Sequence, residues 1–427
     1  MTSRFAIIGA GPSGFYAAEA LLKAGHHVDL FDKLPTPYGL VRYGVAPDHP
    51  KLKQVTAVFD RIAQMPGFRF FGHVEIDRDV TIAELRAAYT AVVVCCGAER
   101  DRPLEIPGEE LAGVHGGLAF VGWYNGHPAR HALAPELRGK NAIVIGLGNV
   151  ALDVARILGK EPQALAGTDI AAHALDALYR SGIESITIAA RGGPSQARCT
   201  EKELREFGSL PGCSATADRG NYDVPPSDPV PSLFAGFPSE LREAGRRCHF
   251  AFGLRPIKIT GMDGRVCAVR FLRGPVVGGV ATTGTEEIEL PADLVVTCVG
   301  SRATLVDGLA LRPDGAAVRH EAGRALDQDG RVIPGLYVAG WIKRGASGTI
   351  GTNRADAVET ITSLMADLPA LDHVDRDIAD CPINIATAIS FAGWKAIDHV
   401  EVSRGSENSK PREKIISVQE MIAHAVA

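Results

Sequence analysis

Two stretches decide the fold. "FAIIGAGPSGFYAAEALL" occupies residues 5–22 and "AIVIGLGNVALDVARIL" occupies residues 142–158. Each runs from a short apolar strand through a glycine-rich turn into a helix. In the first, Gly9, Gly11 and Gly14 fit G-x-G-x-x-G. The three positions serve a tight turn, close backbone approach to a pyrophosphate, and close packing of helix on sheet. The helix N-terminus offers free amides and its positive dipole end to the phosphates. A second strand, "HVDLF", leads to Asp32, eighteen residues beyond Gly14. An acid there accepts from ribose hydroxyls and repels a 2′-phosphate, so the site suits FAD or NAD rather than NADP.

The second turn carries Gly146, Gly148 and Ala151, G-x-G-x-x-A. Its following strand, "ESITIAARGG", ends without an acid. Arg191 stands where a guanidinium meets a 2′-phosphate; the plain alternative is a solvated surface arginine. A long helical stretch, 155–182, separates turn and strand. The chain therefore reads as holding one dinucleotide with a bare ribose and one with a phosphorylated ribose. That is the plan of a flavoprotein reductase, in which a nicotinamide delivers hydride to a flavin. Two apolar strands, "VVVCCG" to Gly97 and "LVVTCVG" to Gly300, read as exits between the two nucleotide domains.

Composition excludes several classes. The chain has 427 residues, 46% hydrophobic and 22% charged, with net charge −5. That length allows two or three domains with full cores, and the acidic balance argues against a general nucleic-acid binder. Eight cysteines show no C-x-x-C and no zinc spacing. Several lie in apolar runs and read as buried reduced thiols, which fits a cytoplasmic setting. The N-terminus enters a strand at once, leaving no room for a signal peptide. No apolar run reaches the length of a membrane helix, so no membrane partner is expected. Residues 211–238, rich in Pro, Gly, Ser and Asp, read as a long surface loop. Oligomeric state is not legible.

Further stretches are more specific than either turn: "LPTPYGLVRYGVAPDHPKLK" (34–53), "GGPSQARCTEKELREF" (192–207), "GLYVAGWIKRGASGTIGTNRADAVETI" (335–361) and "GWKAIDHVE" (393–401). With the two turns, they make the chain resemble the adrenodoxin reductase family of ferredoxin–NADP reductases over nearly its whole length. Disulfide reductases of the glutathione reductase type share the double-nucleotide plan but carry a redox cysteine pair that this chain lacks. The resemblance implies an α/β fold with two Rossmann-like dinucleotide-binding domains, one for FAD and one for NADP, in a glutathione-reductase-like architecture. Its boundaries fall at about 1–105 and 331–427 for the FAD domain and 106–330 for the NADP domain.

The resemblance also implies residue roles. FAD lies along Gly9, Gly11, Pro12, Ser13 and Gly14, with Asp32 on its ribose where the family usually has Glu. Lys33, Leu40, Val74 and Gly97 complete that side. Trp341 and the Gly348–Thr349–Ile350 backbone pass the isoalloxazine; the plain alternative for Trp341 is a core aromatic. Leu147, Gly148, Asn149 and Val150 hold the nicotinamide coenzyme, and Glu203 contacts its nicotinamide-side ribose region or orders the pocket. Arg191 matches the first of two adjacent arginines that grip the 2′-phosphate, but the second is replaced by Gly192. One charge-assisted partner is worth about 1.5–3 kcal/mol, so NADH use, or dual specificity, is the alternative to strict NADPH use. Arg198 and Lys202 are the compensating candidates. His49 and Glu206 match positions assigned to the redox step, against the plainer readings of a loop histidine and a solvated helix charge.

The implied partner is an acidic ferredoxin, an iron–sulfur protein, supplying an oxygenase system. Arg205 matches a docking residue. Arg242 and Arg246 read as one face of a basic helix at i,i+4, or as a solvated face of mixed charge. Three rivals stand beside this reading. An electron-input module related to the glutamate synthase small subunit would need N-terminal cysteine clusters, and none precede Cys95. A flavin-binding sensor without turnover and a flavin monooxygenase are the others.

Overall fold

The computed structural model describes residues 2–218, 229–240, 245–304, 306–373 and 387–426. The chain divides into two compact units. The first holds 1–45, 49–100 and 301–427; the second holds 46–48 and 101–300.

In the first unit, a seven-stranded sheet runs in the order His320–Glu321, Arg324–Leu326, Val332–Val338, Ala91–Val94, Arg4–Ile8, His27–Asp32, Phe68–Gly72. The last five are mutually parallel. Both faces are covered, which is why these strands read as unbroken apolar runs. Phe5, Ile7 and Val93 face one core with Phe15 and Ala357; Ala6, Ile8, Val92 and Val94 face another with Tyr89 and Leu336. The chain re-enters this unit at Ser301, about thirty residues before the boundary at 331 that the sequence suggests. The reason is the small antiparallel extension 320–326, which hydrogen-bonds to Val332–Val338 and cannot be separated from it. The penultimate helix, Phe391–Glu407, is fixed by buried Glu401, which accepts from Arg42 Nη2 at 2.5 Å and from Ile415 N at 2.9 Å.

In the second unit, a six-stranded sheet runs Val114–Gly116, Leu294–Thr297, Asn141–Ile145, Ser185–Ala189, Arg246–Ala251, Cys213–Ala217, all parallel. A three-stranded antiparallel sheet, Leu254–Met262, Arg265–Arg273 and Glu286–Pro291, belongs to the same unit. The helical stretch after the second turn is three helices: Asn149–Gly159, Gln163–Ala166 and Ala172–Tyr179.

Two expectations are overturned here. The 211–238 stretch is not one loop: it contains the strand Cys213–Ala217 and the helix Pro229–Gly236, while 219–228 lie outside the described residues. Arg246 is not helical. It opens the strand Arg246–Ala251, whose alternate residues Cys248 and Phe250 are buried. Arg242 lies outside the described residues.

Among the described residues no helix is long and apolar enough to cross a membrane, and no group of three or more His, Cys, Asp or Glu side chains could hold a metal ion. Seven cysteines are free thiols, and Cys381 lies outside the described residues.

Candidate functional site: two glycine turns

Each turn sits where the strand order reverses. Arg4–Ile8 has His27–Asp32 on one side and Ala91–Val94 on the other; Asn141–Ile145 has Ser185–Ala189 on one side and Leu294–Thr297 on the other. Crevices at such switch points, beyond the carboxyl ends of the strands, are where open α/β sheets bind ligands.

The chain itself explains the outer residues of each turn. Gly9 has φ +102°, and a Cβ there would lie 2.7 Å from the Cys95 carbonyl; one on Gly14 would lie 2.0 Å from Gly9 O. Gly146 has φ +130°, with a Cβ 2.3 Å from Cys298 O, and Ala151 is fully buried. The middle glycines are different. Gly11 (φ −83°) and Gly148 (φ −115°) have backbone angles open to any residue, and a Cβ on either meets nothing within 4 Å. Neither strain nor packing requires glycine at these two positions. Close approach of a ligand would account for both, and the resemblance implies FAD at Gly11 and the nicotinamide coenzyme at Gly148. Both glycines are uncapped N-caps, of the helices Pro12–Lys23 and Asn149–Gly159, so the first amides are free to receive phosphate.

At the first turn, Asp32 is the last residue of its strand. Its carboxylate accepts from Ala10 N at 2.8 Å and Leu34 N at 2.9 Å, tying the turn to the strand end. Burial pushes this carboxyl up to about 6, against the pull of those two N–H groups. Ser13, in the first turn of its helix, donates to Asn353 Oδ1 at 3.1 Å. Asn353 lies in the first turn of the helix Ile350–Asp367, so two helix N-termini stand side by side. Thr349 is that helix's N-cap, and Gly348 takes φ +81° to lead into it. Trp341 is half-buried and begins a short helix, donating Nε1–H to Ser347 O at 3.0 Å; it is not a fully buried core aromatic. Val74 is buried and Gly97 takes φ +79°, whereas Leu40 is exposed and Lys33 pairs with Glu99 at the surface.

The sequence reading missed the residues that brace this corner. Asp356 accepts from Gly340 N and pairs with buried Lys343 at 2.9 Å; Arg344 donates to Asn353 Oδ1 at 2.5 Å. The available signal was polar Asn353 and Asp356 on the stripe that buries Ala357, Ile361 and Leu364.

At the second turn, Asn149 Oδ1 accepts from Thr200 N at 2.8 Å, and Arg198 N donates to Leu147 O at 2.9 Å. The 192–205 segment is thereby fastened to the glycine turn, with Leu147 to Val150 half-buried beneath it. Glu203 Oε2 is buried and has no hydrogen-bond partner among the described residues, which fits a ligand hydroxyl nearby. Arg191 is exposed past the end of Ser185–Ala189. A Cβ on Gly192 would stand 2.8 Å from both Cβ and Oε1 of Gln196. Gln196 Oε1 in turn accepts from Gly193 N at 2.9 Å and Ala281 N at 3.0 Å. The place of a second arginine is filled.

Glu206 is not a solvated helix charge. Its carboxylate lies 3.3 Å from Nε of fully buried Arg156, which also pairs with Asp153 at 2.5 Å and with Asp48. Burial pushes the Asp48 carboxyl up, but Arg156 and Lys160 outweigh it and hold it below the ordinary range. His49, next in sequence, is the half-buried N-cap of Pro50–Lys53. Of the docking candidates, Arg205 is exposed but paired with Glu201 at 2.5 Å. Arg246 donates to Leu158 O at 3.2 Å and Lys160 O at 2.6 Å, closing the end of Asn149–Gly159. Burial raises the thiols Cys96, to about 12, and Cys298, so neither offers a ready thiolate.

Known proteins fit this geometry. The pyridine nucleotide-disulphide oxidoreductase profile matches residues 3–189. NADPH-ferredoxin reductase FprA of Mycobacterium tuberculosis is 40% identical, with 98% of each chain aligned. Mitochondrial NADPH:adrenodoxin oxidoreductase of Bos taurus is 39% identical over 99% of this chain and 92% of its own length. The solved structure of M. tuberculosis FprA in complex with NADPH superposes with TM-score 0.92 at 38% identity, covering 100% of both chains. Two glycine turns built for two dinucleotides and similarity over the full length give one conclusion: the chain belongs to the adrenodoxin reductase family of ferredoxin–NADP reductases.

Proposed function

We propose that this chain is an NADPH-dependent flavoprotein reductase that passes electrons through FAD to a ferredoxin. One observation carries the reading: Gly11 and Gly148 leave open space that neither backbone strain nor packing explains, at both switch points of one chain. Bound FAD supplies the chemistry, taking a two-electron hydride and releasing electrons singly.

The protein's own residues bind, orient and sort. Gly11 and Ser13 present free amides at the head of Pro12–Lys23 to the FAD pyrophosphate, with Pro12 setting the first helical φ and Gly9 and Gly14 the turn. Asp32 carries the ribose. Asp356 and Asn353 hold the backbone around Trp341 and Gly348 to Ile350 in place for the ring. In the second unit Leu147 to Val150 take the coenzyme pyrophosphate, Glu203 its nearby hydroxyls, and Arg191 the 2′-phosphate. Glu206 acts as part of the Arg156 ion cluster, and with His49 remains the candidate group for proton handling at the redox step. The partner read from sequence is an acidic ferredoxin, with exposed Arg205 the remaining docking candidate; Arg246 is committed to closing a helix.

The lack of a C-x-x-C or C-x4-C pair in the sequence and the burial of the strand-end thiols disfavour disulfide reduction. An anaerobic titration with NADPH and, separately, NADH tests the reading through the visible flavin band, followed by reduction of an added ferredoxin. Bleaching at much lower NADPH than NADH is expected. Equal bleaching would make the enzyme dual-specific, and a protein without bound flavin would end the reading.

A further inference from the structure

We infer that Arg198 supplies the second cation of the 2′-phosphate subsite, replacing the arginine absent at Gly192. The inference rests on the NADPH reading above. Asn141–Ile145 and Ser185–Ala189 are neighbouring parallel strands with Ile145 opposite Ala189. Arg191 lies two residues past the second of these strands. The chain then folds back: Gly193 and Gln196 exchange hydrogen bonds, Gly193 N to Gln196 Oε1 and Gln196 N to Gly193 O, each 2.9 Å. After this single turn Arg198 pairs as an isolated parallel bridge with Gly148, the middle glycine, through Arg198 N to Leu147 O at 2.9 Å. Arg191 and Arg198 thus stand at the two ends of one closed loop, above the carboxyl ends of adjacent strands.

Both side chains are exposed, and neither has a hydrogen bond or ion pair among the described residues. Three other arginines of this unit are committed: Arg156 to three carboxylates, Arg205 to Glu201, Arg246 to two carbonyls. Two uncommitted guanidinium forks on one loop at the carboxyl end of the sheet suit an anion that both can reach. A phosphate monoester has oxygens enough for two planar forks. Position 192 cannot carry this charge without displacing Gln196, which fastens the loop to Ala281. Lys202 is the competitor. It is exposed too, but it lies on the short helix Glu201–Arg205, between two glutamates in sequence and beyond the Thr200 cap.

The test is calorimetric titration of the flavin-loaded protein with NADP+ and with NAD+, for wild type, Arg198→Ala, Arg198→Lys, Arg191→Ala and Lys202→Ala. Arg198→Ala should weaken NADP+ by about tenfold or more and leave NAD+ unchanged, with Arg198→Lys recovering part of the loss. Loss for both coenzymes alike, loss for neither, or a selective loss in Lys202→Ala instead overturns the assignment. A wild type that binds NADP+ no tighter than NAD+ overturns the NADPH reading itself, and the inference with it.

Discussion

The two glycine turns are alike in backbone and opposite in the charge at their rim. In the first, Gly9 N donates to Phe31 O at 2.7 Å and Cys95 N to Ile8 O at 2.6 Å; in the second, Gly146 N donates to Ala189 O at 2.9 Å and Cys298 N to Ile145 O at 2.7 Å. In each, a strand-end cysteine packs against the first glycine, so no side chain fits there. The rims then diverge. The first ends in Asp32, turned inward and half-buried; the second ends in Arg191, exposed and free. On the proposed reading, the shared part recognises what two dinucleotides have in common, a pyrophosphate, and the divergent part separates a bare ribose from a phosphorylated one.

The sharpest way to break the comparison is to fill the two middle positions. Gly11→Val should abolish bound flavin while leaving far-UV circular dichroism intact, because a Cβ at this position meets no atom of the chain within 4 Å and its φ is open to any residue. Gly148→Val should keep the flavin and lose NADP+ binding. A yellow Gly11→Val protein would remove FAD from the first turn. The outer position is the control: Gly14→Ala drives a methyl against Gly9 O, and overpacking of that kind costs about 1–3 kcal/mol or more, so thermal stability should fall as well.

Arg191→Ala comes next. Loss of one charge-assisted contact, about 1.5–3 kcal/mol, should cut NADPH affinity by tenfold or more and leave NADH alone. Equal losses for both coenzymes would mean that the rim arginine acts through general charge and that the two rims are not a pair of opposites.

The acid rim gives a smaller, pH-resolved effect. Asp32 must be ionised to accept from ribose hydroxyls, and in the flavin-free chain burial holds it near 6. FAD affinity should therefore fall as pH drops through about 6, because binding then releases a proton. Stability of the flavin-free fold runs the other way. A carboxyl raised in the folded state favours folding most when protonated, and that contribution is lost as pH rises from about 4 to about 6. Asp32→Asn should flatten both profiles. A pH-independent FAD affinity in the wild type would place the ribose away from Asp32.

These contrasts also mark what the chain discloses before it is folded. Glycine spacing, apolar strand runs and Asp32 are local signals, set by φ angles and burial within about thirty residues, and they carried both turns. Arg246 was misread because its strand alternates, Cys248 and Phe250 in and His249 half out, and a helical i,i+4 pairing of charges was given more weight than period two. The plainer reading of Glu206 as a solvated charge fails because its partner Arg156 lies fifty residues earlier and Asp48 over a hundred earlier than that arginine. Nothing local predicts a three-carboxylate cluster around one buried guanidinium. Gln196 was silent for the same reason: its role depends on Ala281, which only the folded chain brings near.

That last contact sets the smallest effect and the finest test of the second rim. If Gly192 were simply an arginine lost, Gly192→Arg would restore a second grip and raise NADPH affinity by tenfold or more, the worth of one charge-assisted bond. The geometry argues otherwise. A Cβ at 192 displaces Gln196, freeing Gly193 N and Ala281 N and loosening the loop that carries Arg191 and Arg198. The gained charge and the lost positioning oppose each other, so NADP+ affinity in calorimetry should change by no more than about threefold, a fraction of one charge-assisted contact. Arg198→Ala combined with Gly192→Arg then discriminates. If the two positions are alternatives for one phosphate contact, the new arginine recovers part of what Arg198→Ala loses. If Gly192→Arg alone gains the full tenfold, Gln196 is no obstacle, and the second rim holds an empty place rather than a relocated charge.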